Sequence, residues 1–400
     1  MKRLQAYKFR LKTSSEIENV FQMIAGCCRK VWNMVLEHNL FHLAQKAAIW
    51  FYHEADFWLK LWKQSEEYGF LKLVPAQVLQ QKLLDLDQAF RAAFDKNQPH
   101  KRMPTWRKMG KHDSFRFPQH FKIENRRIFL PKIGWVGFYQ SQPIVGKAKN
   151  ITVSKKGAHW YASILTEIEV PGVKAVATSA IGLDVGIKAF AVTSNGQIIN
   201  GINSFKSYAA KLAKLQRQLA KKVKFSANWQ KQKLKIQQLH QKMGHIRHDF
   251  LHKLSTTLCN NHAMIVVEDL KIKHMSRSAK GTLQCPGKHV KAKSGLNKAI
   301  LDQGWGKFRL MLEYKLKWLG GLLLKVNAKH TSQRCHACGH IAKANRVSQS
   351  MFRCVVCNHE AHADINAANN ILAAGHAVLA CGETVQLGRS MKQEPLGISD

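Results

Sequence analysis

Apolar residues in this chain recur with two periods, two and about 3.6, and the switches between them outline its elements. The opening AYKFRL alternates polar and apolar side chains, as a short β-strand does. Ser14 and Ser15 precede Glu16 as a helix start, and Val20, Met23, Ile24, Cys27, Val31 and Val35 then recur at helical spacing. Leu79, Leu83, Leu86, Phe90 and Phe94 draw a second amphipathic helix, so residues 14–96 read as a helical unit inserted after one strand. The segment 97–118 is basic and broken by Pro99, Pro104 and Pro118; it reads as a loop or linker that touches phosphate. From 119 to 170 the period returns to two. LPKIGWVGF, NITVSKK and HWYASILTEIEV read as antiparallel strands, onto which the first strand closes as a small barrel.

A new pattern begins at Ala180. IGLDVGI is a buried-looking strand, and AFAVTS-NG-QIIN is a hairpin with an Asn-Gly turn. Residues 204–253 carry 13 Lys+Arg against the single Asp249, and their leucine spacing predicts a basic helical hairpin. AMIVVEDL is an apolar strand ending in two acids. Residues 276–296 lack periodicity and read as a mobile loop, ILDQGWGKFRLMLEYKLKWLGG as one amphipathic helix, LLLKVNA as a strand and DINAANNILAAGHAVL as a helix. The last twenty residues, 381–400, look like a loose tail.

Charge sharpens this picture: 63 Lys+Arg against 25 Asp+Glu leave +38 on 400 residues. So basic a chain self-repels unless a polyanion neutralises it, so nucleic acid is the expected partner ahead of an anionic lipid surface. MKRLQAYKFRL has no apolar block behind it and is no signal peptide, and no stretch reaches the length needed to cross a bilayer. A cytoplasmic protein without a membrane partner is expected. In a reducing compartment, cysteines point to metal or free thiols. Cys27, Cys28, Cys259, Cys285 and Cys381 are scattered and read as core or incidental thiols.

Four others are clustered. Cys335, Cys338, Cys354 and Cys357 form C-x2-C, fifteen residues, C-x2-C, a spacing that lets two turns each present a thiolate pair to one tetrahedral Zn²⁺. Four protein ligands close the site, so its expected role is structural; the alternative is a redox pair or unconnected thiols. His336, His340, His359 and His362 are surplus to such a site and read as contacts to solvent or phosphate.

With acids so scarce, those in apolar settings are conspicuous. Asp184 lies inside IGLDVGI, Glu268 and Asp269 end MIVVED, and Asp364 precedes INAANNIL at a helix start. Each has an innocent reading: a hydrogen-bonded turn residue, a surface acid, a helix N-cap. Three acids on strand, strand and helix of a strongly basic chain favour a site for two Mg²⁺ or Mn²⁺ ions that hydrolyses phosphodiesters.

The blocks GLDVGIKAFAV, VVEDLKIKHM, LDQGWGKFRLMLEYK, TSQRCHACG and HADINAANNIL, with AYKFRL, CCRKVWNMVL and LPKIGWVGF, resemble the TnpB proteins of bacterial insertion sequences, relatives of the type V CRISPR effectors. The resemblance runs from Lys8 to Ala374 and is thinnest at 40–75. It implies an α/β fold with β-barrel and helical parts: a wedge barrel (1–13 and 97–175), a helical recognition domain (14–96), an RNase H-like RuvC nuclease (176–330 and 358–380) and an inserted zinc module (331–357) that touches target nucleic acid. It implies an RNA-guided DNA endonuclease, one protein per guide RNA transcribed from the element's own end, acting on double-stranded target DNA. Asp184, Glu268 and Asp364 match its carboxylates. Arg346 matches an arginine that assists catalysis, or is an exposed basic residue. Gln80 matches a position that helps read the DNA motif beside the target, or is a surface glutamine. Asn366, Asn369 and Asn370 sit where the family has similar residues. The rival classes are a non-catalytic nucleic-acid-binding accessory or regulator, and a transposase that joins DNA without a guide.

Overall fold

The computed structural model describes residues 2–170 and 178–380, and the chain divides after Gly172 into two compact units. The expected tail and Cys381 lie outside the described residues.

The first unit is built on seven antiparallel strands: β1 (Lys2–Lys12), β2 (Ser114–Phe117), β3 (Lys122–Glu124), β4 (Arg127–Leu130), β5 (Gly134–Tyr139), β6 (Lys147–Lys156) and β7 (His159–Glu169). Their order is β2-β6-β7-β1-β5-β4-β3, so the first strand does lie at the centre among the later ones. It is longer than AYKFRL. The strands make one curled sheet, with β2 and β3 at the two ends of the order and no ladder between them. β3 and β4 are short, of three and four residues, and offer little ladder for closure.

Alternation sets the faces. Tyr7, Phe9 and Leu11 of β1 and Trp160, Ala162 and Ile164 of β7 point into the core, while Lys8, Arg10 and Lys12 face out. Helices α1 (Ser15–Ala44), α2 (Tyr52–Gln64) and α3 (Ala76–Phe94) follow β1. The Ser14 hydroxyl oxygen accepts the Ile17 N–H at 3.3 Å and so caps α1. Phe21 of α1 packs edge-on against Trp160 and Phe115 at 5.0 and 5.6 Å, joining helix and sheet in one core. The 97–118 segment ends in β2 and is fastened along its length. Trp32 donates to Thr105 O, Asn33 exchanges two hydrogen bonds with the Arg107 backbone, the Arg107 guanidinium covers the Trp32 ring, and Arg29 pairs with Asp113.

The second unit holds a five-stranded mixed sheet of β8 (Ala180–Val185), β9 (Ala191–Thr193), β10 (Ile198–Ile199), β11 (Met264–Glu268) and β12 (Leu322–Val326), ordered β10-β9-β8-β11-β12. β8, β11 and β12 run parallel, and β9 and β10 antiparallel. The β9–β10 hairpin closes through a three-residue loop, with Thr193 N donating to Gln197 O and Gly196 at φ +87°. Helices α4 (Ser204–Ala220) and α5 (Ala227–Asn261) form the basic hairpin, around a small cluster of Leu212, Leu239 and Met243.

Two helical readings change. The loop 276–296 follows a single turn, α6 (Ile272–Met275), and its last residues already belong to α7 (Val290–Gln303). The single helix expected from Ile300 to Gly321 is two, because Gly304 adopts φ +75° and separates α7 from α8 (Trp305–Leu319). A left-handed residue ends one helix without penalty only as glycine. The cysteine segment adds a short hairpin, β13 (Met351–Arg353) with β14 (Glu360–His362), which runs straight into α9 (Ala363–Ala380).

α9 lies unusually close to the sheet. A Cβ on Gly182 of β8 would sit 2.2 Å from Ala368 O, and one on Gly375 would sit 2.4 Å from a Val266 methyl. Glycine on strand and helix alike removes the side chains that would hold the two apart, and so brings the first turn of α9 to the ends of β8 and β11. Among the described residues no helix is long and apolar enough to cross a membrane.

Candidate metal centres and active site

The four clustered cysteines come together: their sulfurs all lie within 4.8 Å of one another, with Cys335–Cys357 at 3.7 Å and Cys338–Cys354 at 3.5 Å. Each pair sits on the same turn. Cys335 N donates to His340 O and Gly339 N to Cys335 O; likewise Cys354 N donates to His359 O and Asn358 N to Cys354 O. The residue after each second cysteine is left-handed, Gly339 at φ +79° and Asn358 at φ +54°, as glycine and asparagine permit. The Cys357 backbone N–H, first among several donors, lowers the Cys354 thiol, while neighbouring sulfurs raise Cys357, as expected where thiols share one proton-poor cluster. Four sulfurs so disposed suit one tetrahedral Zn²⁺ and leave no position for substrate. The histidines are less free than expected. His336 Nδ1 meets Asn366 Oδ1 at 3.0 Å, and His362 Nδ1 accepts the Asp364 N–H at 3.3 Å. Asp364 is therefore not the cap of α9; the neighbouring imidazole takes that place and leaves the carboxylate for other work.

That carboxylate joins the other two. In the parallel β8–β11 pair Leu183 lies opposite Val267, which sets the next residues, Asp184 and Glu268, side by side at the carboxyl ends of the strands. Asp364 reaches the same point from the first turn of α9, and all three acids line one cavity of about 330 Å³ with Thr331, Arg346 and Lys188. Burial first, and then the Glu268 and Asp364 carboxylates, push the Asp184 carboxyl up to about 7, against the pull of Arg346. Burial also raises Glu268, against the hydroxyl of Thr331. Arg346 Nη2 stands 3.4 Å from Asp364 Oδ1 and 3.2 Å from Gln349 O. Among the described residues the cysteine set is the group of metal-ligating side chains drawn within 4.8 Å; the carboxylates stand farther apart around their cavity. Oxygen donors of like charge, partly stripped of water, suit hard divalent cations.

Known proteins resemble this chain along nearly its whole length. A family described as "Probable transposase" matches residues 163–279, a "Cas12f1-like, TNB domain" 305–371 and a "Helix-turn-helix domain" 1–41. The chain is 51% identical over 398 residues, 99% of its length and 98% of the relative's, to "Putative RNA-guided DNA endonuclease InsQ" of Escherichia coli (strain K12). The chain belongs to the TnpB family. A further relative, "Putative RNA-guided DNA endonuclease" of Streptomyces pristinaespiralis, is 32% identical across 98% of this chain and 96% of its own length. The fold is similar to that of Cas12f1 solved in its complex with guide RNA and target DNA, at a TM-score of 0.54 and 15% identity, covering 92% of this chain and 98% of that one.

In this TnpB-family chain several side chains around the acids carried no signal of their own in the sequence. Thr331 donates to Glu268 Oε1 at 2.6 Å, Lys188 and Gln349 line the cavity, and Asn345, fully buried, ties the two cysteine turns together through Gln333 O, His340 O and Val355 N. Only their place beside a motif could have raised them. Asn366 and Asn370 are buried and hydrogen-bonded, while Asn369 is half-buried. Gln80 lies in the first unit, where its side-chain amide donates to Asp56 Oδ1 at 3.0 Å, linking α3 to α2. The scattered Cys27, Cys28 and Cys259 are buried, and Cys285 is exposed.

Proposed function

We propose that this chain is an RNA-guided DNA endonuclease of a transposable element. It takes a guide RNA from the element's own end and cuts both strands of DNA that pairs with the guide beside a short flanking motif. The observation that carries the reading is the meeting of Asp184, Glu268 and Asp364 on one cavity in a chain of net charge +38. A pure binder gains nothing from carboxylates aimed at phosphate. The names of its long relatives describe the same activity.

The second unit is then a RuvC nuclease over 176–330 and 358–380, with a zinc module at 331–357. The first is a wedge sheet over 1–13 and 97–175 with a helical recognition part at 14–96. Asp184, Glu268 and Asp364 would hold two Mg²⁺ or Mn²⁺ ions, which when bound would supply an activated water and neutralise charge on the scissile phosphate. The chain's own residues do the rest. The carboxylates fix the geometry from β8, β11 and α9, and Arg346, carried by the cysteine module, offers a guanidinium to the phosphate oxygens beside Asp364. One structural Zn²⁺ on Cys335, Cys338, Cys354 and Cys357 keeps the module that carries Arg346 folded. The basic hairpin of α4 and α5 and the 97–118 segment grip nucleic-acid backbones, and Gln80 exchanges Asp56 for an adenine edge in the flanking motif. One protein per guide RNA acts on nucleoid DNA in the cytoplasm.

The test is to purify the protein with its co-expressed RNA and offer it, with Mg²⁺, a target library bearing random flanks. Cut ends beside one enriched flank, dependent on the guide, are expected. Tight RNA and DNA binding without cut ends would leave a regulator in place of an enzyme. Joined DNA products formed without RNA would indicate strand transfer.

A further inference from the structure

Neutral polar side chains form an unbroken path from the cysteine module to one of the acids. Asn370 of α9 donates through Nδ2 to Thr331 O at 2.9 Å and to Arg334 O at 2.6 Å. One turn earlier Asn366 donates to the same Arg334 O at 2.8 Å, while its Oδ1 accepts from His336 N and faces His336 Nδ1, both at 3.0 Å. The two asparagines are 6% and 0% exposed, on the helix face that packs inward. A buried amide is costly unless it is bonded, and these spend their bonds on one short stretch, Thr331 to His336, which carries the first metal-binding cysteine. That stretch ends at the active site: the Thr331 hydroxyl, 8% exposed, lies 2.6 Å from Glu268 Oε1. Ala328 O is also near the hydroxyl, at 3.2 Å, but the carboxyl oxygen at 2.6 Å is the closer acceptor for its one proton.

We infer that Thr331, seated by Asn370, is a positioning residue for Glu268, and that this strut ties the cation affinity of the carboxylate cavity to the integrity of the cysteine module. The inference rests on the nuclease reading above. A glutamate has three rotatable side-chain bonds, and freezing them on cation binding costs free energy. The hydroxyl engages Oε1 beforehand and makes no claim on Oε2, so part of that ordering is complete before a cation arrives. Unfolding of the cysteine turns frees the Arg334 and His336 ends of the stretch, and with them the hydroxyl. The coupling is reciprocal: cations at the carboxylates favour the folded module.

The experiment uses the full-length protein with its guide RNA and follows target cleavage across a Mg²⁺ series for wild type, Thr331→Val and Thr331→Ser. Thr331→Val should raise the Mg²⁺ concentration for half-maximal cleavage by about ten-fold. Thr331→Ser should stay within about two-fold of wild type, because it keeps the donor. Mn²⁺ binding to the RNA-free full chain, read from the electron paramagnetic resonance of free Mn²⁺, should weaken in the same proportion. Asn370→Ala, with Thr331 intact, should shift both midpoints in the same direction. Wild-type midpoints in Thr331→Val, or in a folded Asn370→Ala, would overturn the strut. A wild-type protein that never cleaves would overturn the nuclease reading instead, and the Mn²⁺ series would still decide this one.

Discussion

The two candidate cation centres of the second unit are built on opposite plans. In the cysteine module four sulfurs crowd within 4.8 Å and the backbone of both turns is bent to present them. Around the acid cavity three carboxylates arrive from two strands and a helix, are not all drawn so close, and share the lining of a space of about 330 Å³. On the proposed reading, soft thiolates without a vacant place make a fold depend on its metal, and hard carboxylates with room to spare make a reaction depend on it.

The strongest way to break that contrast is to remove one sulfur. Cys354→Ser should abolish stoichiometric zinc, and since such binding is worth on the order of 10 kcal/mol of folding free energy, the module should melt locally. Metal analysis and proteolysis between 331 and 357 would show it; a variant that keeps its zinc and resists protease would erase the distinction. Asp184→Ala removes a carboxylate and should do the reverse, leaving guide-RNA binding and fold intact while cleavage falls by about 10³-fold. Appreciable Mg²⁺-dependent cutting by that variant contradicts the mechanism.

Proton linkage sharpens the acid side. The Asp184 carboxyl rises from 3.8 to about 7 in the folded chain, so between those values the native state binds the extra proton. In divalent-free buffer stability should therefore fall as pH rises from about 4 through about 7, by at most roughly 4 kcal/mol, and added Mg²⁺ should oppose the fall. Thermal melts of wild type beside Asp184→Asn measure this, and parallel slopes in the two would refute it. A smaller effect, about 1–3 kcal/mol of lost stability with slower cleavage, is expected for Gly182→Ala, whose methyl would collide with Ala368 O and push α9 off the sheet. Last comes Gln80→Ala, outside both centres. Loss of the Asp56 bond should cost under about 1 kcal/mol in melting. Discrimination at one flanking base should relax by about 1–3 kcal/mol, read from library cleavage.

What the sequence made legible followed from scarcity and spacing. Asp184 stood out because an acid in IGLDVGI has no reason to be there without a partner, and the cysteines because two x2 intervals admit few geometries. Strands β8, β11 and β12 and helix α9 showed in their periodicity. Three things did not show. The helix Tyr52–Gln64 packs little more than Ala55 and Leu59 fully inward and leaves Phe57 and Leu61 exposed, so its apolar arc is broader than the face it buries. The break at Gly304 lies within a run whose periodicity continues on both sides, and only a backbone angle reveals it. Thr331 and Asn370 are ordinary polar residues whose meaning depends on which oxygen they face in space.

The basic hairpin has one more consequence. α5 runs for 35 residues, about 52 Å, yet only its later part shares the main core, through Leu251, Leu258 and Cys259. Its earlier part leans on α4 through a small cluster, and the connection between them leaves Val223 and Phe225 bare. Opening free energy must then decline along the arm, so amide protons should exchange fastest near the tip and slow step by step toward the root. A bound polyanion, by damping the repulsion among its lysines, would flatten that gradient and turn a fraying lever into a stiff one.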